Sequence, residues 1–371
     1  MGTTKKVLIF GAGSYGRSVF ENTRHTVIGF IDNDPEKQGS SLEGQPIYSP
    51  KQISQVKHEG IIIASTFEHE IRHQLIAMGL CDAILSEAEA TSHAKVTPVN
   101  HEKIERSPEE MRNDANYALT VANGYLQKFS DDFTFFQAKT ILELGPGINL
   151  GTALILQAWG AKSVIVSDRY LSPFTPGYHD VVYQIILELL EQEGTYQSLD
   201  PIRTCLNTAN HDTGTMITTQ KPLESLSNVF TNDIDVSLSN AVFEHLYNPL
   251  EAFVSLYNCM KPGGVGSHQV DFRDHRDFNR PLEFLLMDEL SFFAQMEKAC
   301  CEFGNRMRPC QMDALFKQVG FKQVRYESNL QASDEYLAEF IPRLRNNITS
   351  PYYNMAEEQL TSVSGLFSLK K

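Results

Sequence analysis

The sequence predicts an α/β protein of two Rossmann-like domains, a small parallel-sheet unit at the N-terminus and a larger sheet after it. Three observations carry this. Residues 7–16 read VLIFGAGSYG and residues 141–151 read ILELGPGINLG, so an apolar strand twice breaks into a glycine-rich turn that opens a helix. Residues 1–90 alternate strand and helix signals, the mark of a parallel sheet with covering helices. A chain of 371 residues also exceeds one ordinary hydrophobic core. The expected division is a nucleotide-binding domain over 1–90, a linker with a covering or lid helix over 91–135, and a second α/β domain over 136–371.

In the first domain, residues 7–10 and 26–31 read as strands and 14–22 as a helix. Residues 46–48 read as a short extended piece and 61–65 as a buried strand. A helix over 68–78 is closed by Gly79, and 83–85 is a last short strand. Polar residues, His and Pro98 dominate 87–106, as in a linker. Pro108 then opens a helix to Phe129, with Tyr117, Val121 and Leu126 on its apolar face. The second series has strands at 141–144, 163–167, 234–239, 264–272, 321–327 and 365–370. Its helices run over 151–159, 181–192, 250–260 and 312–319.

A net charge of −14 repels phosphate backbones, so nucleic acid is a poor substrate candidate. No apolar stretch reaches the ~20 residues that span a bilayer, and the N-terminus lacks a signal-peptide core. The expectation is a cytoplasmic protein without a membrane partner. The six cysteines, Cys81, Cys205, Cys259, Cys300, Cys301 and Cys310, form no C-x-x-C pair and read as buried free thiols.

In the second loop, Glu143-Leu144-Gly145-Pro146-Gly147 follows a strand and opens a helix. Its glycines let the backbone turn sharply and approach a ligand, and Glu143 stands at the carboxyl end of the strand, where ligands bind in open α/β sheets. Asp168 ends the next strand, placed to accept both hydroxyls of a ribose. The stretch 233–246, Asp-Ile-Asp-Val-Ser-Leu-Ser-Asn-Ala-Val-Phe-Glu-His-Leu, follows, and then the turn Lys261-Pro262-Gly263-Gly264. In this order the motifs, with a terminal antiparallel strand pair, resemble those of the class I S-adenosylmethionine-dependent methyltransferases over residues 105–371. The third glycine of the usual loop is replaced by Asn149, which tolerates left-handed geometry.

The resemblance implies a seven-stranded sheet and S-adenosylmethionine as cofactor. Glu143 with the Gly145–Gly147 backbone and Asn149 would face the methionine part, and Asp168 would hold the ribose. Arg169 and Tyr170 would flank the adenine, and Asn240 and Ala241 would lie beneath the sulfonium. The acceptor is expected to be a small molecule.

Methyl transfer needs a positioned acceptor and sometimes a base. Glu244 and His245 follow the fourth strand of the second domain, and His268, Asp271, Asp274 and His275 lie in or after the fifth. Glu244, His245 and His275 are the catalytic candidates. Against this stand a cap or cofactor-pocket role for Glu244-His245 and a salt-bridge network for 271–275. Tyr178-His179-Asp180 reads either as a cap or as the border of the acceptor pocket. Phe292, Phe293, Tyr336, Phe340, Tyr352 and Tyr353 read as a lid or acceptor wall, with most of the rings in the core.

Gly11-Ala12-Gly13-Ser14-Tyr15-Gly16 matches G-x-G-x-x-G between strand and helix, with Asp32 ending the next strand. Its amides suit a pyrophosphate, and Asp32 a ribose hydroxyl. Gly13 is expected to be the position where a side chain would block a ligand. With Gly29–Lys37, Gly44–Ile47 and a length of about 90 residues, the unit resembles the small Rossmann domain of bacterial nucleotide-sugar acetyltransferases. That resemblance implies a UDP-sugar, or NAD, held by Gly11, Gly13, Ser14, Tyr15, Gly16, Asp32 and Ser65.

His69-Glu70-Ile71-Arg72-His73 matches the zincin pattern H-E-x-x-H but lacks a third ligand, so no metal is expected. The sequence thus reads as a methyltransferase for a small acceptor, such as O- or N-methylation of a nucleotide-linked sugar of a polysaccharide or secondary metabolite; a homo-oligomer stays open. Two alternatives are an unrelated small acceptor with an NAD-binding or structural N-terminal module, and a non-catalytic nucleotide-sugar-binding scaffold.

Overall fold

A computed structural model of the chain describes residues 4–23, 25–65, 71, 74–75, 78–80, 83–85, 104–169, 171–292 and 305–371. Most of the helix expected at 68–78, the linker up to residue 103, and His69, Glu70, His73, Tyr170, Phe293, Cys81, Cys300 and Cys301 lie outside the described residues. The chain divides into two units, Met1–His101 and Glu102–Lys371.

The first unit is a five-stranded sheet of order β3-β4-β2-β1-β5. Its strands are β1 Lys6–Phe10, β2 Thr26–Ile31, β3 Ser41–Leu42, β4 Gln45–Tyr48 and β5 Gly60–Ile63. β1 pairs in parallel with β2 and β5, and β2 with β4, while β3 adds an antiparallel edge. Residues 83–85 contribute one parallel bridge, Ile84 to Ile61. Val7 and Ile9 enter one core while Leu8 and Phe10 enter another, which is why β1 reads as an unbroken apolar run. Since β2 and β5 flank β1 on opposite sides, the carboxyl end of β1 is a switch point, and the helix α1, Ser14–Asn22, starts there.

The second unit holds seven strands: β6 Thr140–Leu144, β7 Ser163–Ser167, β8 Met216–Thr219, β9 Ile234–Asn240, β10 Met260–Asp271, β11 Gln323–Gln331 and β12 Ser362–Lys370. Their order is β11-β12-β10-β9-β6-β7-β8. The pairs from β8 across to β10 are parallel, and β12 runs antiparallel to both of its neighbours. This is the mixed sheet with an antiparallel terminal pair that the class I methyltransferase resemblance implies. One core packs α2 Pro108–Phe129, α3 Gly151–Ala158 and α4 His179–Glu193 with Ile141, Val164 and Val236. The other face carries Ala252, Phe253, Met312 and Phe316, from helices 249–259 and 309–319, against Leu142, Leu144 and Phe367. Strand alternation therefore puts Glu143 on the face of Ile141, under α2.

A helix at Asp200–Thr208, the strand β8 and a helix at Asp334–Arg345 had no sequence reading. The last of these falls in the segment read as a lid or acceptor wall with most of its rings in the core. Tyr336 and Tyr352 are buried and Phe340 is fully inaccessible, so these rings belong to the core, as does Phe292. Cys205 and Cys259 are buried free thiols, and Cys310 is a partly buried one. Among the described residues no helix is long and apolar enough to cross a membrane.

Candidate functional site

The second glycine loop leaves β6 through two left-handed residues, Gly145 at φ 64° and Gly147 at φ 75°. A Cβ at Gly145 would stand 2.5 Å from Val242 Cγ2, whereas one at Gly147 would meet nothing within 4 Å among the described residues. The loop is thus packed on one side and open on the other. Asn149 is not left-handed, which corrects the expectation for it. The two glycines already supply the turn, and Asn149 Oδ1 instead accepts from the Gly151 N–H at 2.9 Å, at the start of α3.

Glu143 is only 2% exposed, and its Oε2 has no hydrogen-bond partner among the described residues. Desolvation raises its pKa to about 8. A buried carboxylate oxygen without a donor costs free energy that the fold alone does not explain. It fits a ligand that brings a positive or N–H group, as the methionine end of S-adenosylmethionine does. Tyr125 of α2 is buried near it, with its hydroxyl pKa raised by burial and then by the Glu143 charge.

Helix α2 is tied to this loop. The Tyr178 hydroxyl donates to Asp114 Oδ2 at 2.8 Å and receives Asn149 Nδ2 at 3.4 Å. Asn240, the last residue of β9, donates through Nδ2 to the Tyr117 hydroxyl at 2.7 Å. The next residue, Ala241, lies at φ 56°, a strained position for a residue with a Cβ. Asp168 follows β7, partly exposed, its N–H bonded to Thr219 O at 3.2 Å. Arg169 sits beside it, 2.9 Å from Glu224 Oε1 and 4.1 Å over the Tyr247 ring. Tyr117, Tyr125, Asp114 and Tyr247 were read from sequence as helix face or not at all. Their partners lie on distant segments, so no local signal marks them.

Of the candidate bases, His268 is removed from that role. It is fully buried in β10 between Ser237 Oγ at 3.1 Å and Ser239 Oγ at 2.8 Å, stacked on Phe243, with its pKa lowered to about 3 by burial. Asp271 is gripped by Arg273 through contacts of 2.7–3.2 Å, and buried Asp274 pairs with Arg276, so both serve the loop network. His179 accepts from Thr175 N–H at 2.8 Å through Nδ1 and donates from Nε2 to Ile148 O at 3.1 Å, which makes it a buried strut of the glycine loop. Asp180 accepts the Gly177 N–H at 2.9 Å, which ties the turn before α4 to its first residues and leaves the helix start without a side-chain cap.

Glu244, His245 and His275 do come together. One ligand atom from each lies within 4.8 Å of the others. The short turn Phe243–His245 is pinned by Asn305, which donates to Glu244 O at 2.8 Å, Phe243 O at 2.8 Å and Leu246 O at 3.0 Å. Burial and then the His275 charge lower the pKa of His245 to about 4, so its imidazole is neutral at pH 7.

In the first glycine loop Gly11 and Gly16 are the tight positions. A Cβ on Gly11 would land on the Ala64 carbonyl oxygen, and one on Gly16 on the Gly11 carbonyl oxygen. Gly13, expected to be tightest, caps α1 with nothing among the described residues within 4 Å of its Cβ position. Gly16→Ala is therefore expected to destabilise the first unit by about 1–3 kcal/mol, since backbone must shift; a melting curve unchanged from wild type would contradict this. Asp32 is 2% exposed. Its Oδ2 accepts from Ala12 N–H at 2.8 Å and Lys37 Nζ at 3.1 Å, and its Oδ1 from Asp34 N–H at 2.9 Å. It braces the glycine loop from beneath. Ser65 stands at the end of β5, its Cβ 3.4 Å from the Gly11 Cβ position. Of Ser14 and Tyr15 only the helical backbone is described.

The family model described as C2185-like, N-terminal, matches residues 3–83. No curated protein matches the sequence. Among solved structures, an S-adenosylmethionine-dependent methyltransferase from Mesorhizobium loti is 11% identical, with 68% of this chain and 100% of that chain covered and a TM-score of 0.38. Phosphoethanolamine N-methyltransferase 2 of Haemonchus contortus, solved with S-adenosyl-L-methionine, is 12% identical over 100% of this chain and 95% of that chain, at a TM-score of 0.35. The [4+2]-cyclase SpnF is 10% identical over 73% of this chain and 84% of that chain, also at 0.35.

Proposed function

We propose that the chain is an S-adenosylmethionine-dependent methyltransferase acting on a small molecule. The observation that carries this is Glu143: a buried carboxyl group whose Oε2 has no partner among the described residues, near the carboxyl end of β6, beside the glycine turn. Bound S-adenosylmethionine supplies a methyl group already activated by sulfonium. Glu143 and the Gly145–Gly147 backbone hold its methionine end, and Asp168 accepts from the ribose hydroxyls. Arg169, fixed by Glu224 and Tyr247, borders the adenine side. Asn240, braced by Tyr117, lies beneath the sulfonium. Glu244, His245 and His275, on the neighbouring loops, face the acceptor.

Replacing Asp168 by Ala is expected to weaken donor binding by about 1–3 kcal/mol, the cost of losing hydrogen bonds to a charged group. Calorimetry on the folded variant measures it; an unchanged affinity removes the ribose assignment.

For the acceptor we infer a nucleotide-linked sugar, O- or N-methylated, and for the first unit a nucleotide-diphosphate ligand. The support is the Gly11–Gly16 loop at the switch point of its sheet, with open space before Gly13. A second reading has its own observation. Asp32 is engaged by the loop's own Ala12 N–H, and by Asp34 and Lys37, which favours a structural module or an NAD-type ligand that does not use this carboxylate. Thermal shift with UDP-sugars, NAD and coenzyme A separates the two.

A further inference from the structure

We infer that Glu244, His245 and His275 form a binding site for a divalent transition-metal cation. The three residues are brought together only by the fold. Glu244 and His245 lie on the turn after β9, and His275 on the loop after β10, so they meet at the carboxyl ends of two neighbouring parallel strands. One carboxylate oxygen and one ring nitrogen from each imidazole lie within 4.8 Å of one another. An ion with ligands at about 2.0–2.2 Å needs them to close by only about 1 Å. The imidazole rings sit 5.2 Å apart, centroid to centroid, and nearly edge to face, so neither stacks away from the shared space.

A second, independent observation points to a ligand there. Glu244 is 6% exposed, its Oε1 accepts from the Asp271 N–H at 3.3 Å, and its Oε2 has no partner among the described residues. A carboxyl oxygen buried without a donor calls for an explanation, and a cation meeting it supplies one. The backbone around it is already fixed by the three Asn305 hydrogen bonds, so the site is preorganised. Behind it, His275 Nε2 lies 3.8 Å from Asp271 Oδ2, and Asp271 is locked by Arg273. A carboxylate behind a ligating histidine is the usual arrangement that orients such a ring.

The donor set selects the ion. Two imidazoles and one carboxylate suit zinc, manganese, iron, cobalt or nickel, and not the all-oxygen shells of calcium or magnesium. Three protein ligands leave positions for water or for an oxygen of a bound molecule. A cation here would hold and polarise an acceptor oxygen; that role rests on the methyl-transfer reading, whereas cation binding itself does not. The sequence-based expectation of no metal did not consider this cluster, because His275 lies on a different loop from the adjacent Glu244 and His245 and no short motif joins them.

The test uses the full chain, stripped with a chelator and titrated with Co2+ alone. The expected result is a visible d–d absorption that saturates at one equivalent and is displaced by Zn2+. In Glu244→Gln and His275→Asn binding should weaken at least about 100-fold. Far-UV circular dichroism and S-adenosylmethionine affinity should stay as in wild type. If Glu244→Gln does not fold, His275→Asn, on a partly exposed loop residue, decides alone. No Co2+ binding at millimolar concentration overturns the proposal. So does binding that persists in His275→Asn, or that is lost only in His69→Asn/His73→Asn. Donor calorimetry on the same samples reads the methyltransferase proposal separately, so the two can fail independently.

Discussion

Replacing Glu143 by glutamine is expected to weaken S-adenosylmethionine binding about 10- to 100-fold and to erase its pH dependence. In the free protein, burial holds the Glu143 carboxyl up at a pKa of about 8, so at pH 6 to 7 it is protonated. The ammonium group of the donor favours the ionised form. Binding in wild type should therefore release close to one proton at pH 6.5. Affinity should rise as pH increases, approaching about tenfold per unit well below pH 8 and levelling off above it. Calorimetry in buffers of different ionisation enthalpy measures the proton directly. The same carboxyl sets a stability cost of opposite sense. Its folded pKa is raised above the unfolded value, so the stability present below about pH 4.5 is lost as pH rises through about 8. The ligand-free glutamine variant should then be the more stable protein at pH 8.5, by up to a few kcal/mol. Equal pH slopes in both proteins would show that Glu143 does not meet the donor.

Gly13→Val should abolish nucleotide binding by the first unit, a loss of more than about 100-fold, while leaving its melting temperature within a degree or two. The reason is the contrast among the three loop glycines. Gly11 and Gly16 have backbone oxygens where a Cβ would go, but Gly13 faces open space at the mouth of the helix N-terminus. Its φ of −113° asks for no glycine. A valine there consequently fills the space a diphosphate would occupy without disturbing the fold. The measurement is calorimetry with UDP, a UDP-sugar and NAD, beside donor binding at the second glycine loop, which should not change. If wild type binds none of these at millimolar concentration, the structural reading of the first unit stands and the nucleotide-sugar acceptor loses its support.

Much of the architecture was legible because buried parallel strands are continuous apolar runs. Val7–Phe10, Ile141–Leu144 and Val164–Val166 are inaccessible on both faces, and the glycine turns that close the first two runs mark them as strands. The terminal strands and the Pro108 helix were readable for the same reason, through period and capping. What stayed hidden is what depends on distant partners. β8 is an edge strand whose Ile217 is 45% exposed, so Met216–Thr219 lacks a strand signature. The helix Asp334–Arg345 contains Pro342, which reads as a break. At the site, Glu143 and the glycine turns could be picked out, since residue type and position along a strand suffice. The fates of His268, His179 and Asp32 could not, because each is decided by hydrogen bonds across the sheet or loop: to Ser237 and Ser239, to Ile148 and Thr175, to Ala12 and Lys37.

The position of β12 has a consequence for biogenesis. This strand is the last of the sheet to be synthesised, yet it lies inside it, between β10 and β11. During translation, β10 therefore waits with an open hydrogen-bonding edge, and β11 has no strand to pair with, until residues 362–370 leave the ribosome. The first unit draws its strands from residues 6–63 alone and can fold while the rest is still being made. A nascent chain stalled before Ser362 would carry one finished domain and one sheet with an unsatisfied edge, the state on which a holdase chaperone acts and in which aggregation begins.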